Sequence, residues 1–178
     1  MKKTLLSAAM IAGFGMAALA PMNAQAASSG TINFSGKVLA DTCTIAVNGG
    51  STVALPTVMT AAFGSTVGTT TGATNFTVGL TGCDTNMTSA QMAFTTGGNV
   101  DSATGNLKNA AASGSNVEIQ LLSGASVINA QSSANAPAIA VDTTGAGSTT
   151  LTAQYISTAT ATTAGLVTSS VGFTLTYQ

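Results

Sequence analysis

Few side chains in this 178-residue chain could carry out chemistry, and the two cysteines, Cys43 and Cys83, are the most informative of them. The chain has no histidine, so a cysteine nucleophile would have no imidazole base to activate it. Two cysteines alone are also too few ligands for a structural metal site. We therefore predict that Cys43 and Cys83 form a disulfide, a bond that persists in oxidising compartments.

The charged residues are too few and too scattered to form a catalytic or nucleic-acid-binding site. The chain has five Asp or Glu residues and four Lys residues, and two of the lysines are Lys2 and Lys3. Binding to phosphates needs a basic patch, and hydrolysis needs a nucleophile–base pair or an acid dyad. We expect no enzyme activity, no nucleic-acid partner, no cofactor and no metal. Such low charge favours association between copies of the chain.

The first 26 residues predict a secretory signal peptide. A basic head at Lys2 and Lys3 precedes the apolar stretch Thr4–Ala20, and Ala24-Gln25-Ala26 fits the small-x-small cleavage pattern. A transmembrane helix is the alternative, but the stretch is short for a span and is rich in weakly apolar Gly and Ala. We expect a mature chain that begins at Ala27 and contains no membrane span.

Short alternating runs between turn residues predict an all-β domain. Residues 57–72 lack helical periodicity and are expected to form a loop with at most one helical turn. Residues 101–115 are expected to form loop and short strand. Seven or so strands with one disulfide favour an immunoglobulin-like β-sandwich. The predicted strands are residues 37–47, 52–55, 75–83, 91–95, 116–122, 149–156 and 171–177.

The segment that follows the signal peptide alternates over an unusual length. From Ser28 to Val47 it would extend about 66 Å at about 3.3 Å per residue, whereas most strands have about five or six residues. It is either an ordinary first strand or partly a projecting arm. A projecting strand with an apolar face aggregates unless another sheet receives it. That face carries Gly30, Ile32, Phe34, Gly36 and Val38.

With these features, the chain resembles the major subunits of type 1-like fimbriae assembled by the chaperone–usher pathway. The resemblance covers essentially the whole precursor. It depends on the order of the alternating arm 30–36, the first cysteine within 38–43 and the second within 76–84. It also depends on Gly165, fourteenth from the C-terminus, and on the final run 171–178 with its penultimate Tyr.

The resemblance implies an incomplete immunoglobulin-like β-sandwich, a pilin fold that lacks its last strand and is completed by a donor strand from a neighbouring subunit. The implied organisation is a signal peptide at 1–26, a donor-strand arm at 27–38 and a pilin domain at 39–178. The implied donor residues are Gly30, Ile32, Phe34, Gly36 and Val38. The implied acceptor groove and chaperone-binding strand include Gly165, Val171, Phe173, Leu175, Tyr177 and Gln178.

The resemblance also implies partners and a location. The partners are other copies of the chain in a filament, a periplasmic chaperone, an outer-membrane usher, and tip or adaptor pilins. The expected location is a fimbria on the cell surface, reached through the periplasm. The expected function is that of a rod subunit polymerising by donor-strand exchange. The alternative is a minor or tip-proximal adaptor or adhesin with a binding role, although tip adhesins generally carry an extra receptor-binding domain and lack a donor arm.

Overall fold

Strands are the main regular structure of the computed structural model, which describes residues 31–38 and 42–178. The chain divides into a unit of residues 1–36 and a unit of residues 37–178. The predicted signal peptide and Gly30 lie outside the described residues. The strands of the larger unit are β1 (Thr44–Val47), β2 (Thr70–Thr81), β3 (Ser89–Thr95), β4 (Leu107–Lys108), β5 (Val117–Ser123), β6 (Ser126–Ile128), β7 (Ala138–Ala140), β8 (Gly147–Ser157) and β9 (Gly172–Tyr177).

These strands form two antiparallel sheets. The larger sheet has the order β1-β2-β8-β5-β4, and β6 also pairs with β5. Its centre is the long pairing of β2 with β8, in which Phe76 lies opposite Leu151. The smaller sheet has the order β7-β3-β9, so the last strand of the chain pairs with β3 and lies at a sheet edge.

The inner faces of both sheets supply one apolar core. Alternation along each strand directs every second side chain inward, and both sheets contribute residues that are almost completely buried. The largest side chains that are almost completely buried are those of Val78, Leu80, Met87, Met92, Ile128, Ile139 and Leu151. A disulfide joins Cys43, just before β1, to Cys83, just after β2, and both cysteines pack on this core.

A single short helix occurs among the described residues, a 3₁₀ turn at Thr60–Phe63. Phe63 is buried against Val117 and Tyr155. The sequence predicted at most one turn in 57–72, but it also placed the start of β2 too late, since β2 begins at Thr70. Gly72 explains the difference. It has a positive φ of 69° at a register shift, and the Tyr155 ring occupies the space that a β-carbon there would need. This irregularity breaks the alternation.

Three other sequence expectations need correction. Residues 52–55 form no strand, because they have no hydrogen-bonded neighbour among the described residues. The predicted run 37–47 contains only β1, at its end, in the described part of the chain. The strands β6 and β7 were not predicted, since three residues are too few to show alternation. No helix among the described residues is long and apolar enough to cross a membrane.

Candidate functional site

An elongated groove opens between two stretches of chain in the larger unit. One cavity of about 330 Å³ is lined by residues of 51–55 and 169–173, together with core side chains such as Phe76, Met92 and Leu151. A second cavity, of about 470 Å³, is lined by residues of 55–60 and 162–167. Leu55 lines both cavities, so we treat them as one groove. Residues 51–58 are its N-terminal wall. On the other side the cavity-lining residues lie between 162 and 173, and β9 continues the same stretch to Tyr177; residues 162–177 together are called the C-terminal wall.

The C-terminal wall presents an unpaired strand edge to this groove. Gln178 and Ser89 exchange hydrogen bonds through both backbone groups, with N···O distances of 2.9 and 3.3 Å. In an antiparallel pair such exchange recurs at every second residue. Thr176, Thr174 and Gly172 therefore bond to β3. The backbone groups of the alternate residues point to the opposite edge, and those residues are Val171, Phe173, Leu175 and Tyr177.

The side chains of the same alternate residues face the core but are only half-buried. Val171, Phe173, Leu175 and Tyr177 pack against buried core residues while they retain intermediate exposure. The Phe173 ring meets Phe94 at a tilted angle of 59°, with ring centroids 6.5 Å apart, a favourable aromatic geometry. Thus the predicted acceptor strand has apolar side chains directed inward and an edge without a strand neighbour in the described chain.

The N-terminal wall also lacks backbone partners. In the described part of the chain, no backbone N–H group of residues 51–58 donates a hydrogen bond. One carbonyl is used, that of Pro56, which accepts from the Tyr155 hydroxyl at 3.2 Å. Burial raises the pKa of Tyr155, so its hydroxyl stays protonated and able to donate. Both walls therefore present main-chain groups and apolar side chains that a further strand could use.

The groove is uncharged. The residues that line its two cavities are apolar, hydroxyl-bearing or glycine, and none carries an ionisable carboxyl or amino group. Two of its hydroxyl oxygens, those of Thr162 and Ser169, are buried and have no hydrogen-bond partner among the described residues. An occupant of this groove would therefore be recognised by apolar contacts and main-chain hydrogen bonds rather than by charge.

The remaining predicted residues of the acceptor side also lie at the groove or its end. Gly165 lines the second cavity, and a β-carbon there would lie 2.6 Å from the backbone nitrogen of Ser115. A glycine at this position lets the wall approach the 114–115 turn closely. The carbonyl oxygen of Gln178 accepts from the backbone N–H of Thr88 at 2.8 Å, which anchors the end of the strand.

The predicted donor residues are exposed. Ile32 is 78% exposed, Phe34 is 91% exposed and Val38 is 96% exposed. No described atom lies within 4 Å of the position that a β-carbon on Gly36 would occupy. Gly30 lies outside the described residues. The segment 31–38 contains no strand, and its three large apolar side chains are exposed to solvent.

Sequence reasoning missed the N-terminal wall. Residues 52–55 alternate weakly and were expected to form a strand of the sandwich. The sequence does contain one indication against a paired strand here. Pro56 ends the run, and proline has no N–H group to donate to a neighbouring strand.

Comparison with known proteins identifies the family. The model of the family described as "Fimbrial protein" matches residues 32–178. This chain belongs to the fimbrial protein family. The F17 fimbrial protein of Escherichia coli is 41% identical over 174 residues, covering 92% of this chain and 96% of that protein. The major fimbrial subunit SMF-1 of Stenotrophomonas maltophilia (strain K279a) is 38% identical over 174 residues, covering 92% and 100%.

A solved structure supports the same fold. The crystal structure of the P pilus rod subunit PapA matches with a TM-score of 0.56 and 18% identity, covering 83% of this chain and 100% of that one. The expected fold class is confirmed, and the protein has the immunoglobulin-like sandwich of a pilin. The resemblance seen in the sequence is likewise confirmed, so this fimbrial protein is a structural subunit of a cell-surface fimbria.

Proposed function

We propose that copies of this fimbrial protein polymerise into the rod of a fimbria by donor-strand exchange. In this proposal the donor arm, residues 27–38 of one copy, enters the groove of the next copy and lies along the C-terminal wall. The observation that supports the proposal most directly is the unpaired backbone edge at Val171, Phe173, Leu175 and Tyr177. An added strand would supply the missing hydrogen bonds, as in other cases of β-augmentation.

The donor arm and the groove match in length and in side-chain pattern. Twelve residues of arm extend about 40 Å, and the wall residues from Gly165 to Tyr177 would span about the same length in an extended conformation. Ile32, Phe34 and Val38 share one face of an extended arm. Because the groove is apolar and uncharged, these side chains would leave water when they enter it, which favours insertion. Gly30 and Gly36 would complete the same face.

The symmetry of this contact leads to a filament. Each copy gives an arm and receives another, so the two surfaces in contact are different. A heterologous contact of this kind does not close on itself when the rotation between copies fails to form a ring. A fimbrial rod is the expected product, and tip or adaptor pilins would occupy its end. We assign no catalytic step to the chain.

We further propose that the chain passes through the periplasm after removal of residues 1–26. There a periplasmic chaperone would lend a strand to the same groove, and an outer-membrane usher would exchange that strand for a donor arm. An open apolar groove with an unpaired edge is an aggregation hazard, which supports the need for a temporary occupant. Deletion of Thr176–Gln178 shortens the proposed chaperone-binding strand and is expected to abolish capture by the chaperone.

Deletion of the donor arm tests the proposal. Without Ala27–Gly36 the subunit can still accept a strand but cannot donate one. We expect a normal yield of soluble subunit–chaperone complex and no fibres in electron micrographs. If the arm were an ordinary first strand of its own domain, the deletion would destabilise the subunit and the complex would disappear as well. Loss of both, or normal fibres, would overturn the proposal. If antibodies against this subunit label only the tips of fibres on parent cells, the result would favour the adaptor role instead of the rod.

A single substitution in the arm tests its apolar face. Truncation of a buried Phe typically costs about 3–5 kcal/mol, and Phe34 would be the largest side chain inserted. Phe34→Ala is expected to make fibres dissociate at lower denaturant concentration without changing the stability of the free subunit. Asn33→Ala, on the opposite face, is the matched control. Equal effects of the two substitutions on fibre dissociation would contradict the assigned face.

A further inference from the structure

The C-terminal wall is held on its outer side by two asparagine side chains. Residues 162–170 form no strand, yet several of their backbone groups are hydrogen-bonded to the neighbouring loop. Asn109 Nδ2 donates to the carbonyl of Leu166 at 2.8 Å, and Asn109 Oδ1 accepts from the N–H of Thr168 at 3.0 Å. One amide group therefore binds the two peptide groups that flank Val167.

Asn116 repeats the same arrangement further along the wall. Its Nδ2 donates to the carbonyl of Ala161 at 2.9 Å, and its Oδ1 accepts from the N–H of Thr163 at 2.8 Å. Again the amide binds a carbonyl at one position and an N–H group two residues later. A residue of a neighbouring strand uses its own peptide groups in this way, so each side-chain amide takes the place of one strand residue.

The loop is fitted closely to this wall. Asn109 also donates to the carbonyl of Ser115 at 2.8 Å and accepts from the N–H of Ala111 at 3.0 Å, so its amide joins the two ends of the loop to the wall. A β-carbon on Gly114 would clash with Asn109 Nδ2 and with the Leu166 carbonyl. The backbone groups of Val167 and Ser169 have no hydrogen-bond partner among the described residues, which leaves them for the groove side.

We infer that Asn109 and Asn116 are positioning residues that hold the C-terminal wall in an extended conformation, ready to pair with an incoming strand. This inference depends on the proposed donor-strand function. A wall already ordered on its outer side loses less conformational freedom when a strand binds to its inner side, and such preorganisation increases affinity. Neither asparagine contacts the donor arm in this mechanism, and both act through the wall backbone.

Two isosteric substitutions test the inference. Asn109→Asp and Asn116→Asp replace the donating NH₂ with an oxygen that repels the wall carbonyls. The matched control is Asn75→Asp, because Asn75 is exposed and its Oδ1 accepts from the Thr152 hydroxyl at 2.8 Å, a bond that Asp retains. Affinity is measured by fluorescence anisotropy with a labelled peptide of residues 27–38 and the oxidised mature chain. Hydrogen exchange is measured on the same proteins without peptide.

We expect each wall variant to bind the peptide about tenfold more weakly, because it loses one or more hydrogen bonds that order the wall. The control should bind as the parent does. The Thr163 and Thr168 amides should exchange faster in the Asn116→Asp and Asn109→Asp variants respectively, while the Leu151 amide in β8 keeps its protection. If the two asparagines only stabilised the fold as a whole, the substitutions would instead accelerate amide exchange throughout both sheets.

Three outcomes would overturn the inference. The first is peptide affinity within twofold of the parent in both variants, and the second is uniform loss of exchange protection. The third is failure of both Asp variants, and of Asn109→Ala and Asn116→Ala, to fold, since the residues would then be general requirements of the fold. Failure of the parent chain to bind the peptide at all would instead contradict the proposed donor-strand function, and the inference with it.

Discussion

The strands β8 and β9 have the same alternating pattern but different surroundings. Strand β8 pairs with β2 on one edge and with β5 on the other, and its inward residue Leu151 is 1% exposed. Strand β9 pairs with β3 on one edge, and no strand of the described chain pairs with its other edge. Its inward residue Phe173 is only half-buried. Alternation reports that one face of a strand meets a core, and it does not report how many neighbours the strand has.

This difference separates the part of the fimbrial protein that a single chain can complete from the part that it leaves open. The pairing of β2, β8 and β5 satisfies both the backbone and the side chains within one chain. Strand β9 directs apolar side chains toward the core, but in the described chain it pairs with a neighbouring strand on only one of its two edges. In our proposal the donor arm of another copy supplies the rest, so folding is completed by assembly.

The largest effect on the closed part of the fold is expected from the disulfide. Replacement of Cys43 and Cys83 together by Ser opens a loop with a sequence separation of 40 residues. On the chain-entropy model this lowers the free energy of unfolding by about 4 kcal/mol. Urea unfolding of parent and double variant measures the loss, and the yield of folded subunit should fall. Free thiols in protein extracted from fibres by denaturant would contradict the bond itself.

Truncation of one inward residue in each strand makes the comparison quantitative. Leu151→Ala is expected to lower the free energy of unfolding by about 3 kcal/mol, because it leaves a cavity in a closed core. Phe173→Ala should cost less in the free subunit, where the ring is partly in water. Its cost should rise when a peptide of residues 27–38 covers the groove. Urea unfolding with and without peptide measures both, and an unchanged cost for Phe173→Ala would remove the distinction between the strands.

The smallest effect concerns Glu118 on β5, beside β8. Burial raises the pKa of the Glu118 carboxyl above its ordinary 4.5, and the nearby Asp101 adds to the rise, while hydrogen bonds from Asn106 and Thr104 oppose it. A raised pKa means that the folded state binds the proton more tightly. This stabilising contribution is present below pH 4.5 and is lost as the pH rises through the folded-state pKa. As the pH rises from 4 to 7, the stability of Glu118→Gln should therefore increase relative to that of the parent.

Asp142 provides a control of opposite sign for that measurement. Hydrogen bonds from the hydroxyl and N–H of Thr144 and from the N–H of Ala146 lower the pKa of the Asp142 carboxyl. The stabilising contribution of Asp142 is present when the pH is above the ordinary carboxyl pKa of 3.8, and it is lost as the pH falls through the lowered pKa of the folded state. Asp142→Asn should therefore lose stability relative to the parent as the pH rises from 3 to 6. The same direction for both variants would show that their pH dependence has another origin.

The strands with long alternation were predictable, and the irregular ones were not. The runs 75–83, 116–122, 149–156 and 171–177 correspond to β2, β5, β8 and β9 within a few residues. The early start of β2 was not predicted, because the bulge at Gly72 interrupts the alternation of inward and outward side chains by which a strand is recognised. The short strands β6 and β7 depend on neighbours that are distant in sequence, and three residues carry no periodic signal of their own.

The candidate site was predictable in its apolar faces and not in its backbone. The inward row of β9 and the exposed row at Ile32 and Phe34 both follow from alternation. The N-terminal wall could not be predicted from alternation. What distinguishes residues 51–58 is that their backbone N–H groups donate no hydrogen bond in the described chain, and the sequence does not show this. Asn109 and Asn116 were not predicted either, since a polar residue in a loop has many possible partners and sequence does not say which one it meets.

The sequence by itself determined which side chains of the long strands β5, β8 and β9 face inward, because side-chain direction alternates along an extended backbone whatever lies beside it. Its two cysteines and its alternating arm were also readable without a structure. Only the tertiary structure decided which strand edge has no neighbour, because pairing joins residues far apart in the chain. The family resemblance implied a groove beside the last strand, but residue patterns alone did not. The unpaired edge of β9 is a property of the whole sheet arrangement, and the tertiary structure shows it because the positions of the other described strands are known.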